Sequence, residues 1–213
     1  MISVSGRKWN EKKINKRLVE KVQQQYNLSN IVAQLVVTRN FDKNEIYLIK
    51  DNLRLANIFQ NNTDFIKAVK LVEKSIKNRE NICILGDYDV DGSVATSLFA
   101  IFLKSLDYPF FYYIPDRIKD GYGASKKLFE KLILKKPKLV IMVDCGSTSN
   151  EAIDYLNQHN IKSIIIDHHE INRPYPMSDA VINPQKKIIK KEKSLLCATA
   201  LTYFFIDILI KKT

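Results

Sequence analysis

The hydrophobic pattern changes character near residue 78. Before it, apolar residues recur at helical spacing: Ile31, Val32, Leu35 and Val36 follow Leu28-Ser-Asn, and Phe65, Ala68, Val69 and Val72 follow Asn62-Thr-Asp. A Ser or Asn directly ahead of such a stripe is a helix-starting signal, so two helices are predicted here, their stripes facing a core. From Asn81 onward, short runs of Val, Ile and Leu alternate with helical spacing. The runs at Ile82, Ile84 and Leu85, at 110–114, from Leu139, at 163–166 and at 180–182 read as strands. Residues 94–103, 124–135 and 194–212 read as helices, Pro137 closing the second. Strand and helix in alternation imply an α/β fold, a mostly parallel sheet flanked by helices with right-handed crossovers. The expected organisation is a mostly helical amino-terminal extension over 1–77 and an α/β domain over 78–213. No strand follows the last helix, so that domain is expected to be incomplete at its C-terminal end.

Composition adds little about the fold and more about partners. A chain of 213 residues, 46% hydrophobic and 27% charged, has the make-up of a soluble globular protein with a real core. The net charge of +11 points to an anionic partner, most simply nucleic acid, although a lysine-rich surface alone would produce the same sum. The three cysteines, Cys83, Cys145 and Cys197, are far apart in apolar segments, lack zinc spacing, and read as buried reduced thiols of a cytoplasmic protein. The first 20 residues carry no signal-peptide core. The most apolar stretch, 195–210, contains Asp207 and falls short of the roughly 20 residues of a membrane span, so it reads as a buried helix.

The chemistry concentrates where strands end. Ile82-Cys-Ile-Leu-Gly-Asp-Tyr-Asp-Val-Asp-Gly-Ser93 runs an apolar strand into Asp87, Asp89 and Asp91, placing three carboxylates in a strand-to-helix loop. In a parallel sheet that loop lies at the carboxyl edge, where ligands bind. Three acids there repel one another unless cations neutralise them, whereas a solvated, helix-capping turn is the plainer alternative. An EF-hand is excluded: its loop needs Glu at position twelve, and counting from Asp87 that position is Leu98. Two further strands decide between the alternatives. One ends at Asp144, followed by Cys-Gly-Ser-Thr, and the next at Asp167-His168-His169-Glu170. Three strands ending in Asp or His bring oxygen and nitrogen ligands to one crevice, the mark of a metal centre. His159, at a helix end, is read as structural. The loop Pro115-Asp-Arg-Ile-Lys-Asp-Gly-Tyr-Gly123 offers Arg117 for a phosphate and glycines that permit close backbone approach, or else is an ordinary surface loop.

In order, GDYDVDG, PDRIKDGYG, VDCG, DHHE and INPQ resemble the DHH phosphoesterase superfamily, and within it the RecJ-type single-strand-specific DNA exonucleases. The resemblance covers most of the chain and thins before Asn81, where Trp9 and the LSNIVAQLVVTR segment carry it. It implies that two divalent ions bind, Mn²⁺ or Mg²⁺. Mn²⁺ is favoured because Mg²⁺ accepts nitrogen ligands reluctantly. It further implies that Asp89 and Asp91 each hold one ion with Asp87 alongside, that Asp144 bridges them, and that His168 ligates one. His169 would face the scissile phosphate and Asp167 would orient both histidines. Arg117, the backbone at Gly121 and Gly123, and the turn after Gly146 would hold substrate phosphates.

By the same resemblance, the reaction is metal-dependent 5′ to 3′ hydrolysis of single-stranded DNA to mononucleotides, in repair and recombination. Members of the family continue into a further Asp ligand, a DHHA1 domain and an OB-fold. This chain stops short of them, so an amino-terminal part is expected, or a second polypeptide carrying the remainder. A DHH-type oligonucleotide or dinucleotide phosphodiesterase, and an inactive DNA- or partner-binding fragment, are the competing expectations.

Overall fold

The computed structural model describes residues 13–50, 62–121, 123–186 and 196–212, together with 6, 8 and 10. Trp9, Tyr122 and most of the basic run 186–193 lie outside the described residues. The chain forms two compact units, Met1–Ala56 and Asn57–Thr213.

In the first unit lie α1 (Lys16–Tyr26), α2 (Asn30–Arg39) and α3 (Lys43–Lys50). Asn15 and Ser29 cap the first two by accepting from the amides of Leu18 and Val32. Before α3, Asp42 and Glu45 exchange side chain and amide reciprocally, both at 2.8 Å, which satisfies two otherwise orphaned donors. Tyr26, Val36 and Ile46 form its small core. The stripe predicted for α2 is only partly inward: Ala33 and Val36 are buried, whereas Ile31 is 72% and Leu35 51% exposed. The helix carries apolar residues on several sides, and burial falls on the side where small Ala33 is followed by Val36.

The second unit holds a five-stranded, wholly parallel sheet in the order β2-β1-β3-β4-β5. Its strands are β1 (Ile82–Gly86), β2 (Phe110–Tyr113), β3 (Leu139–Val143), β4 (Lys162–Ile166) and β5 (Ala180–Ile182). Pleating sends Ile82, Ile84, Ile141, Val143, Ile164 and Ile166 to one face, against α4 (Thr63–Lys77), α5 (Val90–Ser105) and α8 (Ala198–Lys212). Cys83, Leu85, Val140, Met142 and Ile165 go to the other, against α6 (Lys126–Leu132) and α7 (Asn150–Gln158). Two covered faces explain why these strands read as continuous apolar runs instead of alternating ones.

Three expectations shift. Helix α4 lies within the second unit, its Phe65, Ala68, Val69 and Val72 joining the sheet's core, so the compact boundary precedes it. Helix α5 begins at Val90, not at 94, with Asp89 as its N-cap. Asp91 therefore belongs to the first helical turn, not to the loop. Cys197 is exposed beside the start of α8, unlike buried Cys83 and Cys145. The strand order reverses between β1 and β3: the chain leaves β1 to form β2 on one side, then crosses to β3 on the other. Loops after neighbouring strands β1 and β3 then diverge to opposite faces, opening a crevice at the carboxyl edge.

Candidate metal centre

Asp87 ends β1, and its backbone lies flush against the first turn of α5. A Cβ on Gly92 would stand 2.6 Å from both the nitrogen and the oxygen of Asp87, so only glycine fits there. Asp87 is 3% exposed, and its Oδ1 accepts from the Tyr88 amide at 2.8 Å. Burial and the charge of Asp89 raise its carboxyl above the usual range, outweighing the Tyr88 bond. Asp89 caps α5 by accepting from the Gly92 amide at 2.9 Å, yet remains exposed at the crevice.

Asp144 continues the ladder beyond β3, its amide donating to the Ile166 carbonyl at 2.9 Å. Its φ of +62° is uncommon for a residue with a side chain. Asp144 is fully buried, and neither carboxylate oxygen has a hydrogen-bond partner among the described residues. The Nε2 of His168 is 3.2 Å from Oδ1, outside hydrogen-bond geometry. Burial, with the charges of Asp91 and Asp89 nearby, pushes the carboxyl up to about 8. A buried acid with two unsatisfied oxygens among like charges is costly unless a cation joins it.

Asp167, at the end of β4, is 1% exposed and has full partnership. Its Oδ1 accepts from the His168 amide at 2.7 Å, the His169 amide at 3.2 Å and His169 Nδ1 at 2.7 Å. Its Oδ2 accepts from the Ser147 amide at 3.1 Å. Burial opposes its ionisation, but the bonds from His169 and Ser147 bring it down to about 2. The same bond to Asp167, against the effect of burial, raises His169 to about 9.

Ligand atoms thus gather in two sets that share one residue. Asp87, Asp89 and Asp144 offer oxygens within 4.8 Å of one another, and Asp144, His168 and His169 do likewise. Carboxylate oxygens with imidazole nitrogen suit a divalent ion such as Mn²⁺. Asp91 belongs to neither set. Its oxygens accept from the amides of Ala198 and Thr199, each at 2.8 Å, so it caps α8 across 107 residues of chain. Burial raises its carboxyl, but bonds from Thr199, Ala198 and Cys197 leave it lowered on balance. It still approaches His168 Nε2 at 3.5 Å, and each carboxylate oxygen has a second lone pair.

The proposed phosphate residues divide. Gly123 and Gly146 line a cleft of about 520 Å³ together with Ser125, Ser147, Ser149 and His169. Gly146 has φ +106°, which a residue with a side chain rarely adopts. Gly121 does not line it, and Arg117 stands apart, its guanidinium 5.3 Å over the ring of Tyr88, between Asp87 and Asp89 in sequence. Ser147 and Asn183 went unassigned in the sequence. Buried Asn183, just past β5, donates to Ser147 Oγ at 2.7 Å and to the His169 carbonyl at 2.9 Å, tying three strand ends together. Asn before Pro within INPQ was its one visible signal.

Residues 81–212 match the family model described as DHH family, N-terminal domain. Single-stranded-DNA-specific exonuclease RecJ of Bacillus subtilis is 28% identical over 184 residues, covering 85% of this chain and 23% of that protein. RecJ of Haemophilus influenzae is 33% identical over 119 residues, 55% of this chain and 21% of its own. The chain thus spans less than a quarter of these relatives' length. The crystal structure of exonuclease RecJ bound to manganese superposes with a TM-score of 0.67 at 25% identity, covering 74% of this chain and 40% of that one. RecJ of Thermus thermophilus in complex with Mn²⁺ shares the fold, with a TM-score of 0.67 at 20% identity over 93% of this chain and 28% of its own.

Proposed function

This chain belongs to the DHH family and is of the RecJ type, and from that premise we propose that it is the metal-binding part of a nuclease hydrolysing single-stranded DNA. The observation that carries the reading is Asp144, buried at the junction of two ligand sets with both oxygens unpartnered among the described residues. Asp144 would be shared by two divalent cations, with Asp87 and Asp89 on one side and His168 on the other. Asp91 would hold α8 to the site while keeping lone pairs available to the ions. When bound, a pair of Mn²⁺ or Mg²⁺ ions supplies an acidified water and neutralises charge on the phosphoryl oxygens.

The protein's own groups have distinct tasks. Asp167 holds His169 by its Nδ1 at 2.7 Å and favours the protonated ring. His169 is therefore assigned to the substrate. Nδ1 is held by Asp167, and the opposite ring edge can present a proton to a phosphate oxygen or the leaving oxygen. The cleft lined by Gly123, Gly146 and three serines would take the sugar and phosphate of a neighbouring nucleotide, and Arg117 a further phosphate. Its small and hydroxyl-bearing lining suits the sugar-phosphate backbone of DNA.

Calorimetric titration with Mn²⁺, paired with release of nucleotides from labelled single strands, tests the reading. The parent chain is expected to take up Mn²⁺. Asp144→Ala should lose that heat and any nucleotide release, with an unchanged circular dichroism spectrum. An Ala variant that binds Mn²⁺ as the parent does would falsify the assignment.

A further inference from the structure

We propose that Asp120 is a positioning residue that holds Arg117 beside the metal-binding loop for a substrate phosphate. The inference rests on the phosphate role proposed for Arg117 and adds what places it. Apart from its stacking over Tyr88, Arg117 sits in a largely exposed turn. The turn leaves β2, which among the described residues is an edge strand paired with β1, and two of its residues, Ile118 and the side chain of Lys119, are 95% and 82% exposed.

The fixing comes from one carboxylate. The Asp120 side chain is only 5% exposed. Its Oδ2 accepts from Tyr113 Oη at 2.6 Å and from the Asp116 amide at 3.1 Å, while Oδ1 accepts from Lys131 Nζ at 2.9 Å. Tyr113 ends β2 and Lys131 lies on α6, so three separate pieces of chain converge on one anion. The amide of Asp120 returns to the Asp116 carbonyl at 2.8 Å, closing the turn around Arg117. Asp116 adds bonds from the amides of Ile118 and Lys119. Bonds from Tyr113 and Lys131 hold the Asp120 carboxyl at about 2, so the anchor is ionised at any working pH. Charge-assisted bonds of this kind are stronger and more directional than neutral ones. A mobile Arg117 would lose entropy on meeting phosphate, and an anchored one has lost it in advance.

Asp120→Asn removes the charge and turns a donor toward Lys131, and Lys131→Met removes one support from the outside. Both variants, Arg117→Ala and the Asp120→Asn/Arg117→Ala pair are compared in the full chain with Mn²⁺ present. Trypsin cleavage after Arg117 and Lys119 should accelerate about tenfold in Asp120→Asn, the loss of one charge-assisted bond, and less in Lys131→Met. Anisotropy with a phosphorothioate oligothymidylate should show binding weakened about tenfold by Arg117→Ala and severalfold by Asp120→Asn, with Mn²⁺ affinity unchanged. Once Arg117 is gone, Asp120→Asn should cost less than about twofold more, because the two residues act as one. Unaltered trypsin cleavage, or an equal cost in both backgrounds, overturns the inference and leaves the nuclease reading standing. Unaltered binding by Arg117→Ala overturns the phosphate role of Arg117 and the inference with it.

Discussion

Adjacent strands β3 and β4 each end in a buried aspartate, and the two have opposite chemistry. Asp144 is 0% exposed and Asp167 1%. Asp167 is surrounded by donors, the amides of Ser147, His168 and His169 and one imidazole nitrogen, and its carboxyl sits at about 2. Asp144 has no donor on either oxygen among the described residues and sits at about 8. Residue type, exposure and place in the topology are the same, so the difference lies in the neighbours: donors around Asp167, and the like charges of Asp91 and Asp89 around Asp144. Asp167 is finished by the protein itself and serves as framework. Asp144 is left without a donor among the described residues, and a divalent cation would suit it in charge and in ligand chemistry.

The largest effect is expected from neutralising the unfinished member of the pair. Asp144→Asn keeps the shape and should weaken Mn²⁺ binding beyond the roughly hundredfold that loss of an outer partner can cost. Its metal-free melting temperature should rise, since a buried unpaired acid has been removed. A lower melting temperature in EDTA would mean that Asp144 is satisfied after all. Next comes Asp167→Asn, which breaks charge-assisted bonds in a buried place. It should cost about 2 kcal/mol, or roughly 6 °C in melting temperature. His169 should return toward its ordinary 6.5 from about 9, as read by ring-proton NMR. Retention of the high value would sever the link drawn between the two residues.

The smallest effect is the dependence of metal-free stability on pH. An acid whose folded value is raised, Asp144 from 3.8 to about 8, contributes fully below 3.8 and loses that contribution as pH rises toward 8. Asp167 is lowered to about 2, so its contribution is complete above 3.8 and lost only in strong acid. His169, raised from 6.5 to about 9, adds a loss only above 6.5. Between pH 4 and 6.5 the two aspartates are therefore separable: the melting temperature in EDTA should fall by up to roughly 4 °C per pH unit. The slope should flatten in Asp144→Asn, with the remainder due to Asp87, whose carboxyl is also raised, and reverse with saturating Mn²⁺. A flat profile in the parent chain removes the contrast.

Much of this was legible along the chain because it depends on local rules. Apolar runs as long as strands, alternating with helical spacing, imply a parallel sheet, and in such a sheet strand ends share an edge. Asp87, Asp144, Asp167, His168 and His169 could therefore be assigned to one crevice from position alone. Local pattern was weaker where several outcomes suit it equally. Helix α5 could begin at 90 or 94 with the same apolar face, and the cap at Asp89 decided for 90. In α2 the stripe offered more apolar residues than its small unit buries.

What the sequence determined by itself is the layered α/β plan and the gathering of acids and histidines at the carboxyl edge, because hydrophobic period and strand direction are properties of neighbouring residues. Only the tertiary structure decided which acid is capped, which is framed and which is left bare. Asp91 meets the start of α8 from 107 residues away, and Asp167 meets Ser147 from the preceding strand's loop. Hydrogen-bond donors that arrive from distant segments leave no trace in local spacing, and they set the charge state of each carboxylate.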